Sequence, residues 1–323
     1  MKQGPFEAEH ATEWREFEAF TESSGKRKGE PPFDLAEMPE RYRRLCQSLA
    51  LAADRQYSPE LVDRLNHLAL RGHHALYAER GRDSRQIIDF LTGGFPALVR
   101  REWRLVLVSA LVFFGPLFGL IAVLQVWPEF VHYLLEPDQI AAVHQMYDPA
   151  NRHLGMRDGD SNVLMFAFYI WNNVRIGFQT FAGGLLFGVG SLWFLGSNGI
   201  VIGAISGYLT QIGYNSTFWS FVAGHSSFEL LAIVLSGAAG LRLGLALIAP
   251  GRLTRKSALV QAAKPAVRVM YGAALMFGAA AFVEAFWSPI TTLPFAVKIG
   301  AGLAGWILLL AYFIFAGRNR APH

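Results

Sequence analysis

Three ionisable side chains inside long apolar runs are the residues of this sequence most able to do chemistry. His225 and Glu229 are four positions apart, so a helix would place them on one face. Glu284 lies in a later apolar run. Such groups can ligate a metal ion, pass a proton or ion, or form a hydrogen-bonded link between helices. Zinc needs three or four protein ligands, and no second histidine-containing motif stands out, so these alternatives stay open.

Three more polar residues begin an earlier apolar run and extend the candidate cluster. Asn172, Asn173 and Arg175 fall within four positions of one another. Ionisable groups in a bilayer cost roughly 2.5–3.5 kcal/mol each on insertion scales, so they usually pair and face protein. We expect these residues to meet the histidine and the two glutamates in one intramembrane polar cluster, toward the non-cytosolic leaflet. Arg242 lies roughly 20 Å along the helix from Glu229 and belongs elsewhere.

The distribution of charge indicates which elements must position these residues. The chain has 29 Lys and Arg and 25 Asp and Glu, and 17 of each group precede residue 105. The remainder consists mainly of apolar runs with few charges. Runs of about 18 residues or more predict transmembrane helices, because the hydrocarbon core is about 30 Å thick. The predicted fold class is therefore all-α, a polytopic transmembrane helical bundle of about six spans with an N-terminal soluble helical domain.

We place a cytosolic helical domain at 1–103 and a transmembrane domain at 104–323, with an extracytoplasmic loop at 128–163. The soluble domain should contain helices at 6–22, at 38–54 and from residue 58, and a further helix at 83–101 that approaches the bilayer. A small bundle of this kind can also dock a partner. The six spans are expected near 105–127, 174–195, 200–212, 226–248, 266–287 and 295–316, and residues 213–224 would be re-entrant or interfacial.

The charges between the spans predict the orientation. Residues 249–268, between the fourth and fifth expected spans, contain five basic residues and no acidic one. After Glu102, every acidic residue outside the spans falls in the 128–163 loop. The positive-inside rule then places both termini in the cytosol. The basic residues do not cluster with interleaved aromatics, so no nucleic-acid partner is expected. The single cysteine, Cys46, excludes an internal disulfide and any cysteine-based metal site within one chain.

Glycine is dense in the second to fourth spans, and many of these glycines lie four residues apart. Small residues at this spacing let helix backbones approach closely, and close packing supplies much of the association energy in lipid. There are more such pairs than a single bundle obviously needs. We therefore expect helix packing within the chain and also a homo-oligomer. The glycines concerned are Gly184, Gly188, Gly199, Gly203, Gly207, Gly240 and Gly244.

Several segments of the transmembrane part, taken together, resemble a known family. They are Asn172-Asn173-Val174-Arg175-Ile176-Gly177-Phe178, the glycine-rich run 181–190, Asn198-Gly199, Gly224-His225-Ser226-Ser227-Phe228-Glu229-Leu230, and the segments 236–244 and 282–286. In this combination the chain resembles the stage II sporulation protein M family of bacterial integral membrane proteins. The likeness covers roughly residues 165–290.

This resemblance implies a scaffold in the bacterial cytoplasmic (inner) membrane. In spore-forming relatives, the protein recruits peptidoglycan-degrading enzymes during engulfment. The long N-terminal domain resembles a branch found outside spore formers, so sporulation itself is not implied. The branch is linked with MoxR-type ATPases, von Willebrand A-domain proteins and RDD-type membrane proteins, which are the expected partners besides the lipid bilayer.

Two functions of different classes follow. The first is a non-enzymatic integral membrane scaffold or assembly protein that self-associates. The alternative is a channel or transporter that uses the polar cluster near His225, Glu229 and Glu284. The short third span and the polar stretch after it favour transport somewhat, because broken helices often line cavities. An intramembrane hydrolase has less support, because no nucleophile–base pairing of the kind acyl transfer requires is visible. No cofactor is expected.

Overall fold

The computed structural model describes residues 2–23, 33–34, 37–150 and 162–318, with backbone only for 22–23 and 74–84. Two compact units divide the chain, Met1–Asp89 and Phe90–His323. Every regular element in the described ranges is a helix, which confirms the all-α prediction. Part of the expected extracytoplasmic loop, residues 151–161, lies outside the described residues.

The first unit is a small bundle of three helices around an aromatic and leucine core. The helices are α1 (Gln3–Ser23), α2 (Met38–Asp54) and α3 (Pro59–Asp89). Gln3 joins α1 to the start of α3 through two hydrogen bonds with Ser58, of 2.9 and 3.0 Å. The amphipathic spacing explains the bundle, because each helix buries one stripe against the other two. The core includes Phe6, Trp14, Phe17, Phe20, Met38, Leu45, Leu61, Leu65 and Leu68.

The division between the units lies earlier than the domain boundary expected after residue 103. The chain leaves α3 at Asp89, passes through a π-helix (Phe90–Gly94) and continues as α4 (Phe95–Arg101). Phe95 packs over Gly272, so α4 belongs to the core of the second unit. The segment expected at 83–101 is helical, with a π-helix close to the interruption expected at 93–96, but it is not a separate helix, because residues 83–89 continue α3 and α4 packs with the membrane helices.

The second unit contains five helices that are long and apolar enough to cross a membrane, counted among the described residues. They make the chain a multi-pass membrane protein. A further helix, α7 (Asn162–Ala182), has 21 residues but is too polar to be among the five. A 3-10 helix (Pro128–Tyr133) and α6 (Pro137–Tyr147) lie between the first of the five membrane helices and α7. The five are α5 (Trp103–Val126), α8 (Val189–Gln211), α9 (Asn215–Ile248), α10 (Arg255–Phe282, continued by a π-helix, Val283–Trp287) and α11 (Phe295–Phe315).

Two expected spans have the wrong bounds. The second, at 174–195, crosses a chain reversal between α7 and α8, where Phe187 and Gly188 have φ angles of 53° and 82°. Hydropathy does not detect this reversal, because every residue from 183 to 190 is apolar or glycine. The third, at 200–212, is the last half of α8 and is not short. Residues 215–224 are the first turns of α9, so this stretch is not re-entrant.

Contacts between helices fix their relative directions in the second unit. Gly199 and Gly203 of α8 lie against Phe113 and Leu117 of α5, so α5 and α8 run parallel. In the same way, α7 runs parallel to α9, since Gly177 faces Ser236 and Gly184 faces Gly240. The α7 helix therefore passes beside α9 through the bundle despite its polarity. The Arg100 guanidinium donates to the Phe313 carbonyl at 2.8 Å, so α4 and the end of α11 meet at one end of this unit.

Candidate functional site

The three ionisable residues singled out in the sequence come together between α9 and the end of α10. One ligand atom from each of His225, Glu229 and Glu284 lies within 4.8 Å of the other two. The Nε2 atom of His225 is 3.7 Å from Oε2 of Glu229, one helical turn further along α9. The imidazole is buried, with 5% of the residue exposed, and 17% of the Glu229 side chain is exposed. We call these three residues the His/Glu cluster.

A local change of helix type positions Glu284. At Val283 the α-helical pattern of α10 gives way to the π-helix, and the Ser288 N–H donates to the Val283 carbonyl at 2.8 Å. This bond spans five residues, so each π-helical residue turns through a smaller angle than in an α-helix. Single π-turns of this kind occur frequently at functional sites. Here the π-helix brings Glu284 and Ser288 to the same side as the histidine.

Ser288 and Lys298 support the His225 ring on its Nδ1 side, away from Glu229. The sequence analysis did not identify either residue. The Ser288 hydroxyl is 3.1 Å from Nδ1 of His225, and the Lys298 ammonium donates to the Ser288 carbonyl at 2.7 Å. The Lys298 residue is 1% exposed and its ammonium lies 5.7 Å from the centre of the Trp287 ring. A lysine at the start of an otherwise apolar span was the signal that could have identified it.

Of the three polar residues on α7, the structure brings Asn173 to the cluster. Asn173 is buried, and its amide lies beside the Glu284 carboxyl. Asn172 reaches it indirectly, through a 3.4 Å hydrogen bond to the Asn173 side chain. Arg175 does not contact the two carboxyls: it is exposed, lies over the Trp171 ring at 4.7 Å, and its guanidinium donates to Oδ1 of Asn172 at 3.5 Å. Two positions along a helix correspond to about 200° of rotation, so Asn173 and Arg175 face opposite ways.

The α6 helix closes one side of the cluster with an aromatic residue. Tyr147 packs against Phe221 with ring centres 5.8 Å apart, and Phe221 packs against the His225 ring at 5.7 Å. Burial, and then the carboxyl of Glu284, Tyr169 and the carboxyl of Glu229, raise the pKa of the Tyr147 hydroxyl. The cluster therefore lies toward the end of the bundle that α6 occupies.

The two carboxyls lack the partners that buried carboxylates usually have. Oε2 of Glu284 is buried and has no hydrogen-bond partner among the residues that the structure describes. Within the described ranges, neither Glu229 nor Glu284 forms an ion pair with lysine or arginine, and the 3.7 Å contact between His225 and Glu229 is an ion pair only when the imidazole is protonated. Buried anions without compensation are unfavourable, so this arrangement suits a bound cation or a shared proton. Three ligand atoms from three side chains are enough to hold one metal ion.

Arg242, which the sequence analysis set apart from this cluster, has its own partner. Its guanidinium pairs with Glu102, at the junction of α4 and α5. The pair joins α9 to the start of α5 at the end of the bundle opposite α6. This partnership was not visible in the sequence, because the two residues are distant along the chain.

The seven glycines expected to pack helices all lie against other parts of the same chain. In four of them, an added Cβ would meet backbone of α5 or α9: Gly199 and Gly203 face α5, Gly207 faces Leu120 and Ile121, and Gly184 faces Gly240. Gly244 meets Gly188, whose φ of 82° also requires glycine. By contrast, Gly115 and Gly119 of α5 have nothing within 4 Å of an added Cβ.

Comparisons with known proteins match two ranges of the chain to family models. A family model described as stage II sporulation protein M matches residues 108–289, which include the whole His/Glu cluster. A second model, described as a domain of unknown function (DUF8413), matches residues 4–78, within the first unit. No curated protein and no solved structure gave a significant match.

Proposed function

Because this chain belongs to the stage II sporulation protein M family, we propose that it acts as a self-associating, non-enzymatic membrane scaffold. The observation that carries the proposal is the exposed face of α5. Gly115 and Gly119 lie four residues apart on this face, and in the described part of the chain no atom of another element lies within 4 Å of a Cβ added at either; Leu111 continues the face one turn earlier. Small residues at this spacing favour close approach of a second helix in lipid.

The glycines that first suggested self-association do not support it, because all seven serve contacts within the chain. The two open glycines of α5 take their place in the proposal. The first unit supplies the second part of a scaffold, a bundle with its own core. Its exposed Leu51, Leu70 and Ile87 give apolar contact points for a partner. We propose partners of the MoxR-type ATPase, von Willebrand A-domain or RDD-type classes, at the bacterial inner membrane with both termini cytosolic.

Cysteine cross-linking in intact membranes tests this proposal. In a Cys46→Ser background, Leu111→Cys should form a disulfide-linked dimer under oxidation, because paired α5 helices bring the two residues within the roughly 7 Å Cα separation that a disulfide needs. Ile307→Cys, on the exposed face of α11, is the matched control, since Ile307 is 67% exposed and Leu111 is 65% exposed. Equal cross-linking of the two variants, or none of Leu111→Cys, would remove the α5 interface.

A channel or transporter is the second candidate, and the His/Glu cluster favours it. Ionisable side chains inside transmembrane segments often mark ion or proton pathways. In proteoliposomes, transport would appear as a cation or proton flux that Glu284→Gln abolishes and that Glu136→Gln, in the segment before α6, leaves unchanged. A flux that is equal in wild type and Glu284→Gln would exclude this cluster from any pathway.

A further inference from the structure

From the His/Glu cluster we infer that this protein binds one divalent transition-metal ion, such as Zn²⁺, between α9 and the end of α10. The ligands are an imidazole nitrogen of His225 and one carboxylate oxygen each from Glu229 and Glu284. The inference stands independently of whether the protein assembles partners or transports ions.

The separations of the ligand atoms are close to those of a metal site. With zinc bonds of about 2.0–2.1 Å, two ligands of a tetrahedral ion lie about 3.3 Å apart. The His225–Glu229 contact is 3.7 Å, and the third ligand atom is within 4.8 Å of both. Shifts of about 1 Å or less in the side chains would close the site around an ion. Because the cluster offers three ligands, a fourth position remains for water.

The groups around the ligands are those that orient a metal site. A metal-binding histidine usually has a polar partner on its second ring nitrogen, which fixes the tautomer. Here that partner is the Ser288 hydroxyl, 3.1 Å from Nδ1, which leaves Nε2 directed toward Glu229. Asn173 lies beside the Glu284 carboxyl, where it can orient that ligand as Ser288 orients His225. Ser288 itself is fully buried and is held through its carbonyl by Lys298.

The charges of the site call for a cation. The two carboxyls are close together and partly buried, and Oε2 of Glu284 is a buried atom without a hydrogen-bond partner in the described part of the chain. Lys298 lies on the far side of Ser288 and donates to its carbonyl rather than to either carboxylate. A divalent ion neutralises both carboxylates and occupies the unpaired oxygen at once. One imidazole and two carboxylates suit zinc, manganese or ferrous iron, whereas calcium and magnesium prefer oxygen ligands alone.

Metal binding to the purified full-length chain tests this inference. The protein, in a Cys46→Ser background with an affinity tag that contains no histidine, is stripped with chelator and titrated with Zn²⁺. We expect one tightly bound ion per chain, and an affinity lower by more than about a hundredfold in Glu284→Gln and in Glu229→Gln, because loss of a group that only orients a ligand already costs about tenfold to a hundredfold. Glu136→Gln, a carboxyl outside the cluster, is the matched control and should bind as the parent does.

A measurement on the parent protein alone covers variants that fail to fold. X-ray absorption of the zinc-loaded protein should show one imidazole nitrogen and carboxylate or water oxygens at about 2.0–2.1 Å. Several imidazoles would indicate binding elsewhere and would overturn the inference. Absence of saturable binding, or equal affinity in the parent and Glu284→Gln, would overturn it as well and leave a shared proton as the role of the cluster.

Discussion

At the scale of single residues, the sequence predicts the polar cluster in part. The spacing of His225 and Glu229 is enough to place them on one face of a helix. That Glu284 joins them depends on the π-helix at the end of α10, and no sequence pattern announced this change of helix type. The direction of the Arg175 side chain depends on how α7 is rotated about its axis, and helix packing determines that rotation. Burial of Asn173 turns the arginine outward.

The unpaired carboxyls lead to a prediction about stability without metal. In chelator, Glu284→Gln should raise the free energy of unfolding by about 1–3 kcal/mol, because it removes a buried charged group whose hydrogen bonding is incomplete. The new amide can also donate to Glu229. Thermal unfolding of the chelator-treated protein in detergent measures the change, and Glu129→Gln, at an exposed carboxyl of the 3-10 helix after α5, should leave the midpoint unchanged.

A fall in the unfolding midpoint of Glu284→Gln in chelator would contradict this prediction. It would mean that the Glu284 carboxyl stabilises the metal-free fold, for example through a proton shared with Glu229.

At the scale of elements, hydropathy located the helices better than it located their ends. The expected spans at 226–248, 266–287 and 295–316 fall within helices, because polar turns separate α9, α10 and α11. The α7–α8 reversal has no such turn, since Gly183, Gly184 and Gly188 combine close packing and a positive φ with apolar neighbours. These glycines are compatible with a chain reversal, because glycine accepts a positive φ. A pattern of small residues four apart is equally typical of a continuous packed helix, so the sequence did not distinguish the two.

The packing role of the glycines predicts opposite effects at two helical positions. A Cβ at Gly203 would lie 2.7 Å from the carbonyl oxygen of Leu117, so Gly203→Ala should destabilise the fold by about 1–3 kcal/mol through overpacking. Gly300 of α11 has nothing within 4 Å, so Gly300→Ala should be neutral or stabilising by up to about 1 kcal/mol, from helix propensity. Thermal unfolding in detergent compares the two variants.

Thermal unfolding together with native mass analysis decides whether Gly203 packs within one chain or between chains. If Gly203→Ala left the unfolding midpoint unchanged but reduced the size of the assembly, the glycine would pack between chains rather than against α5.

At the scale of the whole molecule, the sequence predicts a polar helical bundle before a membrane part, and the chain divides into two compact units at Asp89, earlier than the expected boundary at residue 103. The first unit buries its aromatic and leucine stripes within itself, as the amphipathic spacing predicts. Within the second unit, α4 meets the end of α11, and α7 passes beside α9. These contacts support an even number of crossings between the start and the end of this unit, although α7 is less apolar than the other five helices.

Accessibility labelling tests the orientation that the charges predict. In a Cys46→Ser background, Asp138→Cys in α6 should react with an impermeant thiol reagent added to intact cells. Arg252→Cys, between α9 and α10, should react only after permeabilisation, because the positive-inside rule places this basic segment in the cytosol. Both positions are exposed, so a difference in labelling reports the side of the membrane. The reverse pattern would invert the topology.

The mass of the assembly in a native lipid environment tests the scaffold proposal most directly. Native mass analysis of the chain extracted in nanodiscs should give a homo-oligomer, and Gly119→Ile should reduce it to a folded monomer by blocking the open face of α5. Gly300→Ile, at an equally open glycine of α11, should leave the oligomer intact. A wild-type chain that is monomeric both in nanodiscs and in mild detergent would contradict the self-associating scaffold and leave the transporter hypothesis ahead.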